Sequence, residues 1–280
     1  DAITMAEEAA KDGPITILGQ LVHNEAVLQR LQERGIRFAN SATEVETTAA
    51  IITAHGASDK ARAHAEAMGL KLVDTTCPLV HHAHRAIRLL VEEGYHPVII
   101  GKRGHVEVRG MTEDFEDCDI VLAEEEIDRM TARPKFGVCA QTTQPIERVK
   151  HLVNVLRRRF PDSKVRFIDT VCQPTKQRQS AAISLAKQCD VVVVVGGANS
   201  NNTRELVETC RLHCAQVHYV QQASDLMGDW FRQSDVVGLT AGTSTPDFQI
   251  QKVESALENI SRELFFQGNT EFETCIAVGQ

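Results

Sequence analysis

The stretch VVVVVGGANSNNTREL, Val191 to Leu206, decides how this chain is read. Five consecutive valines describe a strand buried on both faces, as in a parallel sheet covered by helices. The strand empties into Gly196 and Gly197, which let the backbone turn tightly. Ser200, Asn201, Asn202 and Thr203 then stand at the start of a helix. Free N–H groups and the positive end of the helix dipole attract an anion there, and these side chains add neutral donors suited to phosphate oxygens. The plainer reading is a helix cap, because the same residue types are the favoured N-caps.

Working outward, AGTSTPD (241–247) repeats the arrangement, with Pro246 at a helix start where its missing N–H costs nothing. Strand-like runs occur at 14–18, 49–54, 71–74, 96–100, 119–123, 135–140, 164–168, 190–195, 216–220 and 235–240. Helix-patterned segments lie between most of them, at 24–34, 59–68, 80–93, 146–160, 175–188 and 247–260. This alternation predicts an α/β fold with mainly parallel sheets. Six of the strands run into GQLVHN, HG, GKRGH, QTT, GGANSNN and AGTST, so Gly, His, Ser, Thr, Asn or Gln follows each carboxyl end. Ligands of open parallel sheets bind outside those ends, and the recurrence predicts several small α/β units facing one centre.

The 280 residues suit two or three small domains or one large one. A formal charge of -8 argues against a nucleic-acid-binding face, and no run of about 20 apolar residues predicts a membrane span. Eight scattered cysteines without a CxxC pair or secretory signal read as reduced cytosolic thiols. DAITMAEEAA (1–10) reads as the body of a helix with no cap before it, which leads us to expect further residues upstream of Asp1.

Two cysteines occupy matching places. Cys77 follows KLVDTT and precedes Pro78; Cys172 follows KVRFIDTV and lies two residues before Pro174. They are either buried small hydrophobes or thiolates ligating one metal centre, and ligands spread this widely suit an iron–sulfur cluster. His23, His55 and His105, each at a strand end, favour a phosphate or diphosphate when taken with the two anion loops. Neither a GxGxxG nor a Walker spacing is present. Glu107, two residues after His105, is a proton-donor candidate, although alone it reads as a surface residue. Thr142 could hydrogen-bond a substrate hydroxyl. Cys210, His213, Cys214 and His218 have metal-like spacing but also fit an apolar stripe; His81, His82 and His84 run along a helix start with one or two facing solvent. Cys118, Cys189 and Cys275 fit strand or helix core.

VHN (22–24), AHG (54–56), DTTCP (74–78), GHVEV (104–108), AQTTQ (140–144), TVCQPTKQRQ (170–179), GGANSNNTR (196–204) and TAGTSTPD (240–247) together resemble the 4-hydroxy-3-methylbut-2-enyl diphosphate reductase family. That family provides the last step of the methylerythritol phosphate route to isoprenoids. The resemblance implies three small α/β domains with mainly parallel sheets in a trefoil around a central site: 1–77, with the tail 261–280 returning to it, 78–168 and 169–260. It implies a [4Fe-4S] cluster held by three cysteines, with the fourth iron binding the substrate hydroxyl. Cys77 and Cys172 match two of these ligands. The third lies, in the family, in a GFCxGV-type segment before the first helix and is not in this chain; Cys139 is the nearest alternative. His23, His55, His105, Ser200, Asn201, Asn202 and Ser244 would hold the diphosphate. Thr142 would touch the hydroxyl and Glu107 would feed it protons. Implied further are electrons from a ferredoxin or flavodoxin, two diphosphate products, and a cytoplasmic enzyme (plastid in a plant or alga) with neither nucleic-acid nor membrane partners. The competing expectation is a diphosphate-binding protein of the same fold without an intact cluster or redox activity.

Overall fold

A computed structural model describes residues 2–19, 25–198, 200–243 and 245–268. Within it the chain folds into three sheets, and every strand pair is parallel. After helix α1 (Ala2–Ala9), the first sheet holds β1 (Ile15–Leu18), β2 (Arg37–Ala39), β3 (Ala49–Ile52) and β4 (Lys71–Asp74) in the order β2-β1-β3-β4. Helices α2 (Glu25–Glu33) and α3 (Asp59–Ala67) are interleaved with it. Helix α4 (Pro78–Glu92) leads into the second sheet: β5 (His96–Ile100), β6 (Asp119–Val121), β7 (Lys135–Ala140) and β8 (Lys164–Phe167), ordered β6-β5-β7-β8. Its crossovers are α5 (Val106–Thr112), α6 (Glu124–Asp128) and α7 (Ile146–Arg159). After α8 (Gln173–Ala186), the third sheet places β9 (Val191–Val195) between β10 (Gln216–Val220) and β11 (Val237–Ala241), with α9 (Asn201–Arg211) and α10 (Asp247–Gly268).

The chain divides into two compact units: one runs through Cys172 and contains the first two sheets, and the other contains the third sheet from Gln173 onward. In the second unit the five valines behave as their composition demands. Val192 and Val194 pack with Ala182, Ala186, Leu206 and Val207 of α8 and α9, whereas Val191, Val193 and Val195 pack with Phe231, Leu239 and Val253. The second sheet is likewise covered on both faces: Val98, Ile100, Phe136 and Val138 face α7, while Ile99 and Cys139 face α4 and α5. Central strands so enclosed must be apolar on both sides, and β-branched residues fit the pleat.

Strand-like runs became strands close to their expected bounds. The structure adds β2, whose three residues at a sheet edge are too few to show alternation, and α5 and α6, of seven and five residues, too short to show a helical period. Helix α10 runs on to Gly268 rather than ending near Ile260. A strand from TEFETCIAV, 270–278, falls outside the described residues. Among the described residues no helix is long and apolar enough to cross a membrane.

Candidate active site

The first unit builds its two cysteine junctions from one repeated device, Asp-Thr-x-Cys. Asp74 Oδ1 accepts the Thr76 N–H at 2.9 Å, and Asp169 Oδ1 accepts the Val171 N–H at 3.1 Å. The next residue in each, Thr75 or Thr170, donates its hydroxyl to the last carbonyl of the neighbouring strand, Ile52 or Ala140, at 2.7 and 2.6 Å. The cysteine N–H then donates to the loop beyond that strand: Cys77 to Ala54 and Cys172 to Thr142, both at 3.0 Å. The paired strand-to-Cys junctions were visible in the sequence, but the Asp and Thr that set them were missed; the repeated D-T-x-C spacing was the signal. Burial alone would raise the Asp74 carboxyl, yet hydrogen bonds from Arg62 and Thr76 outweigh it and hold the pKa down to about 2.

The residues these cysteines lean on are the other candidates. His55 follows Ala54 directly, and its ring meets His105 edge-on with centroids 5.6 Å apart. His105 caps α5, its Nδ1 accepting the Glu107 N–H at 3.2 Å, which in a neutral ring leaves the proton on Nε2. Glu107 Oε1 accepts the Thr142 N–H at 2.6 Å, and Thr142 is the residue whose carbonyl holds Cys172. Within one unit, the Cys77 N–H thus reaches Ala54, whose chain neighbour His55 meets His105; the His105 ring bonds the Glu107 N–H, Glu107 bonds the Thr142 N–H, and the Thr142 carbonyl holds Cys172.

Glu107 is not a surface residue: only 1% of it is exposed. Burial pushes its carboxyl up to about 7, with the Thr142 backbone and side chain pulling the other way. The sequence did not reveal this because the groups that bury it lie tens of residues away. Also missed was Gln141, fully buried, whose Oε1 accepts the Lys102 N–H and the Gln144 Nε2 at 3.1 Å each, lacing the loops after β5 and β7 together. Thr143 Oγ1 beside it is buried without a hydrogen bond.

In the second unit, Ser200 is the N-cap of α9, accepting the Thr203 N–H at 3.2 Å. The capping reading is thus correct, and it leaves the Ser200 O–H as a donor. Asn201 Nδ2, Asn202 Nδ2 and Thr203 Oγ1 are buried with no hydrogen-bond partner. The two amides at the start of this 11-residue helix call for an acceptor. Gly196 serves a different purpose from a tight turn: a Cβ there would lie 2.3 Å from Thr203 Oγ1, and one on Gly242 would lie 2.1 Å from the same atom. The fully buried Thr203 thus fills the gap between two strand ends, a role absent from the sequence reading. Gly196→Ala is expected to cost about 1–3 kcal/mol, measurable by chemical unfolding. His23 and Ser244 lie outside the described residues.

Residues 1–258 match the LytB protein family. The chain belongs to the LytB family. Its relatives include 4-hydroxy-3-methylbut-2-enyl diphosphate reductases from Anaeromyxobacter sp. (strain Fw109-5), 37% identical over 252 residues and covering 89% of this chain and 88% of that one, and from Aquifex aeolicus, 33% identical over 265 residues, covering 92% and 91%. The E-1-hydroxy-2-methyl-but-2-enyl-4-diphosphate reductase of Plasmodium falciparum superposes with a TM-score of 0.87 at 27% identity, over 99% of this chain and 86% of that one. A second solved structure, described as the terminal enzyme of the non-mevalonate pathway, gives 0.66 at 32% identity, over 92% and 93%. The family is the one the eight motifs resemble, and this chain is an enzyme of it, an oxidoreductase.

The resemblance implies an iron–sulfur cluster, and the thiols differ in their fitness as its donors. Burial pushes Cys118, Cys139 and Cys210 up to about 12, holding them as neutral thiols. Cys139 is 0% exposed and packed among Ala83, Ile87 and Ile99, which removes it as a replacement ligand. Cys210 and Cys214 are core residues beneath β9. Cys77 and Cys172 are partly exposed, and each stands immediately before a helix, α4 or α8. These two therefore fit as ligands. Among the described residues no group of three or more His, Cys, Asp or Glu is placed to hold a metal.

Proposed function

We infer that this chain carries out the two-electron reductive dehydroxylation of 4-hydroxy-3-methylbut-2-enyl diphosphate. Two electrons and two protons convert the allylic alcohol to isopentenyl or dimethylallyl diphosphate and water. The observation that supports it is the contact series from Cys77 to Cys172, which sets a buried acid and two imidazoles between two partly exposed thiols. Cys77 and Cys172 would hold two irons of a [4Fe-4S] cluster, with a third cysteine as in the family. When bound, the cluster supplies electrons and Lewis acidity toward the alcohol.

The rest falls to the chain's own residues. His55 and His105, with His23, hold the diphosphate, and Ser200, Asn201, Asn202 and Ser244 bind it through neutral donors. Binding energy from that end is used to orient the alcohol. The Thr142 hydroxyl bonds the substrate hydroxyl, and Glu107, protonated near neutrality, delivers the proton that lets it leave as water. Soluble ferredoxin or flavodoxin in the cytoplasm provides the electrons.

The test is anaerobic turnover of the intact polypeptide with dithionite-reduced methyl viologen, following both diphosphate products. Product formation dependent on iron is expected. A colourless, iron-free protein that still binds the substrate would replace this reading with that of a diphosphate-binding protein without redox activity.

A further inference from the structure

We propose that His84 is a positioning residue: its imidazole is wedged between the loop that carries His55 and the helix that carries His105, and so sets the approach of the two rings that hold the diphosphate. The inference rests on the diphosphate reading above and adds a residue that the site itself does not contain.

Helix α5 meets the chain around His55 at three levels. At its start, the N-cap His105 faces His55. At its far end, Glu113 Oε2 accepts the Ser58 hydroxyl at 3.0 Å, and the Asp114 carboxylate accepts the N–H groups of Asp59 and Lys60 at 3.0 Å each, capping α3. Arg88 of α4 pairs with both Asp59 and Asp114, at 2.7 and 3.4 Å. Between these levels stands His84, one turn before Arg88 on α4. A Cβ on Gly110 of α5 would lie 3.1 Å from His84 Cε1 and 3.5 Å from the Ala57 Cα. A Cβ on Gly56, the residue after His55, would lie 3.3 Å from His84 Nε2.

Both glycines are thus bare where the ring passes. Gly56 has a φ of 75°, a left-handed conformation. Gly110 sits inside a helix, where glycine is unfavourable unless close approach requires it. His84 is 7% exposed, and its Nε2 is buried with no hydrogen-bond partner. Burial, reinforced by Arg88, His81 and Arg62, lowers its pKa to about 4, so the ring is neutral at ordinary pH. No hydrogen bond to Gly56 or Gly110 holds this middle level. The size of the ring sets it, and the caps at Asp114 prevent the two segments from collapsing onto a smaller side chain.

The test is calorimetric titration of the intact protein with inorganic diphosphate, paired with KM and kcat in the reductase assay. His84→Ala is expected to weaken diphosphate binding and raise KM by about tenfold or more, while kcat changes by less than about threefold. Leu90→Ala, which removes core packing from the same helix without touching either glycine, controls for general loosening and should leave affinity within about twofold. Gly110→Ala, which displaces the ring from the other side, should also weaken binding; in the His84→Ala background it should cause no further loss, because the new methyl enters vacated space. Wild-type affinity in His84→Ala, or losses that simply add in the double variant, would overturn the proposal. If His84→Ala does not fold, unchanged affinity in Gly110→Ala overturns it equally. A wild-type protein that fails to bind diphosphate at all overturns the functional reading, and this inference with it.

Discussion

Replacing Cys172 by serine is expected to leave the anaerobically reconstituted protein without its iron and its reductase activity. Cys172 is one of two partly exposed thiols tied to the residues that flank the candidate acid, its N–H held by Thr142. Removing hydrogen-bond partners of metal ligands already costs roughly 10–100-fold in affinity, and losing a ligand should cost more. Iron content and visible absorbance provide the readout, independent of turnover. Cys139→Ala is the matching control: that thiol is a core side chain in the second sheet, so the variant should keep iron and turnover while losing about 1 kcal/mol of stability. Full iron and wild-type activity in Cys172→Ser would remove it from the site.

For Glu107→Gln the expected result is a fall in kcat of at least about a hundredfold, the usual reach of a positioned acid, with substrate affinity little changed. The amide keeps the shape and can still accept the Thr142 N–H, but it has no proton to give. Wild-type kcat should decline as pH rises through about 7, where burial places the folded-state pKa, and the variant should lose that limb. The same group bears on stability. Its pKa is raised from 4.5 in the unfolded chain, so the stability it contributes is fully present below pH 4.5 and is lost as pH rises through 7. That loss amounts to at most about 3 kcal/mol. Thermal unfolding of wild type against Glu107→Gln from pH 5 to 8 should show the variant gaining relative stability toward the alkaline end. Identical profiles would mean that Glu107 is ionised throughout and is not the acid.

The sequence alone was enough to establish the parallel α/β class, because β-branched runs such as Val191–Val195 can be satisfied only by burial on both faces. It also established the strand-end positions of His55, His105, Cys77, Cys172 and Thr142, because these follow their strands directly. Chain-local patterns carry such facts. Tertiary structure alone decided which of these groups meet and in what state. Glu107 is an acid poised near neutrality because residues from elsewhere in the chain, Thr142 thirty-five positions on among them, pack around it and leave it 1% exposed. Gly196 is glycine because Thr203 occupies the space a methyl would need, and His84 stands apart from its exposed neighbour His82 because two glycines from other segments close over it. Desolvation and close approach depend on what packs from far along the chain, and no local pattern of residues records them.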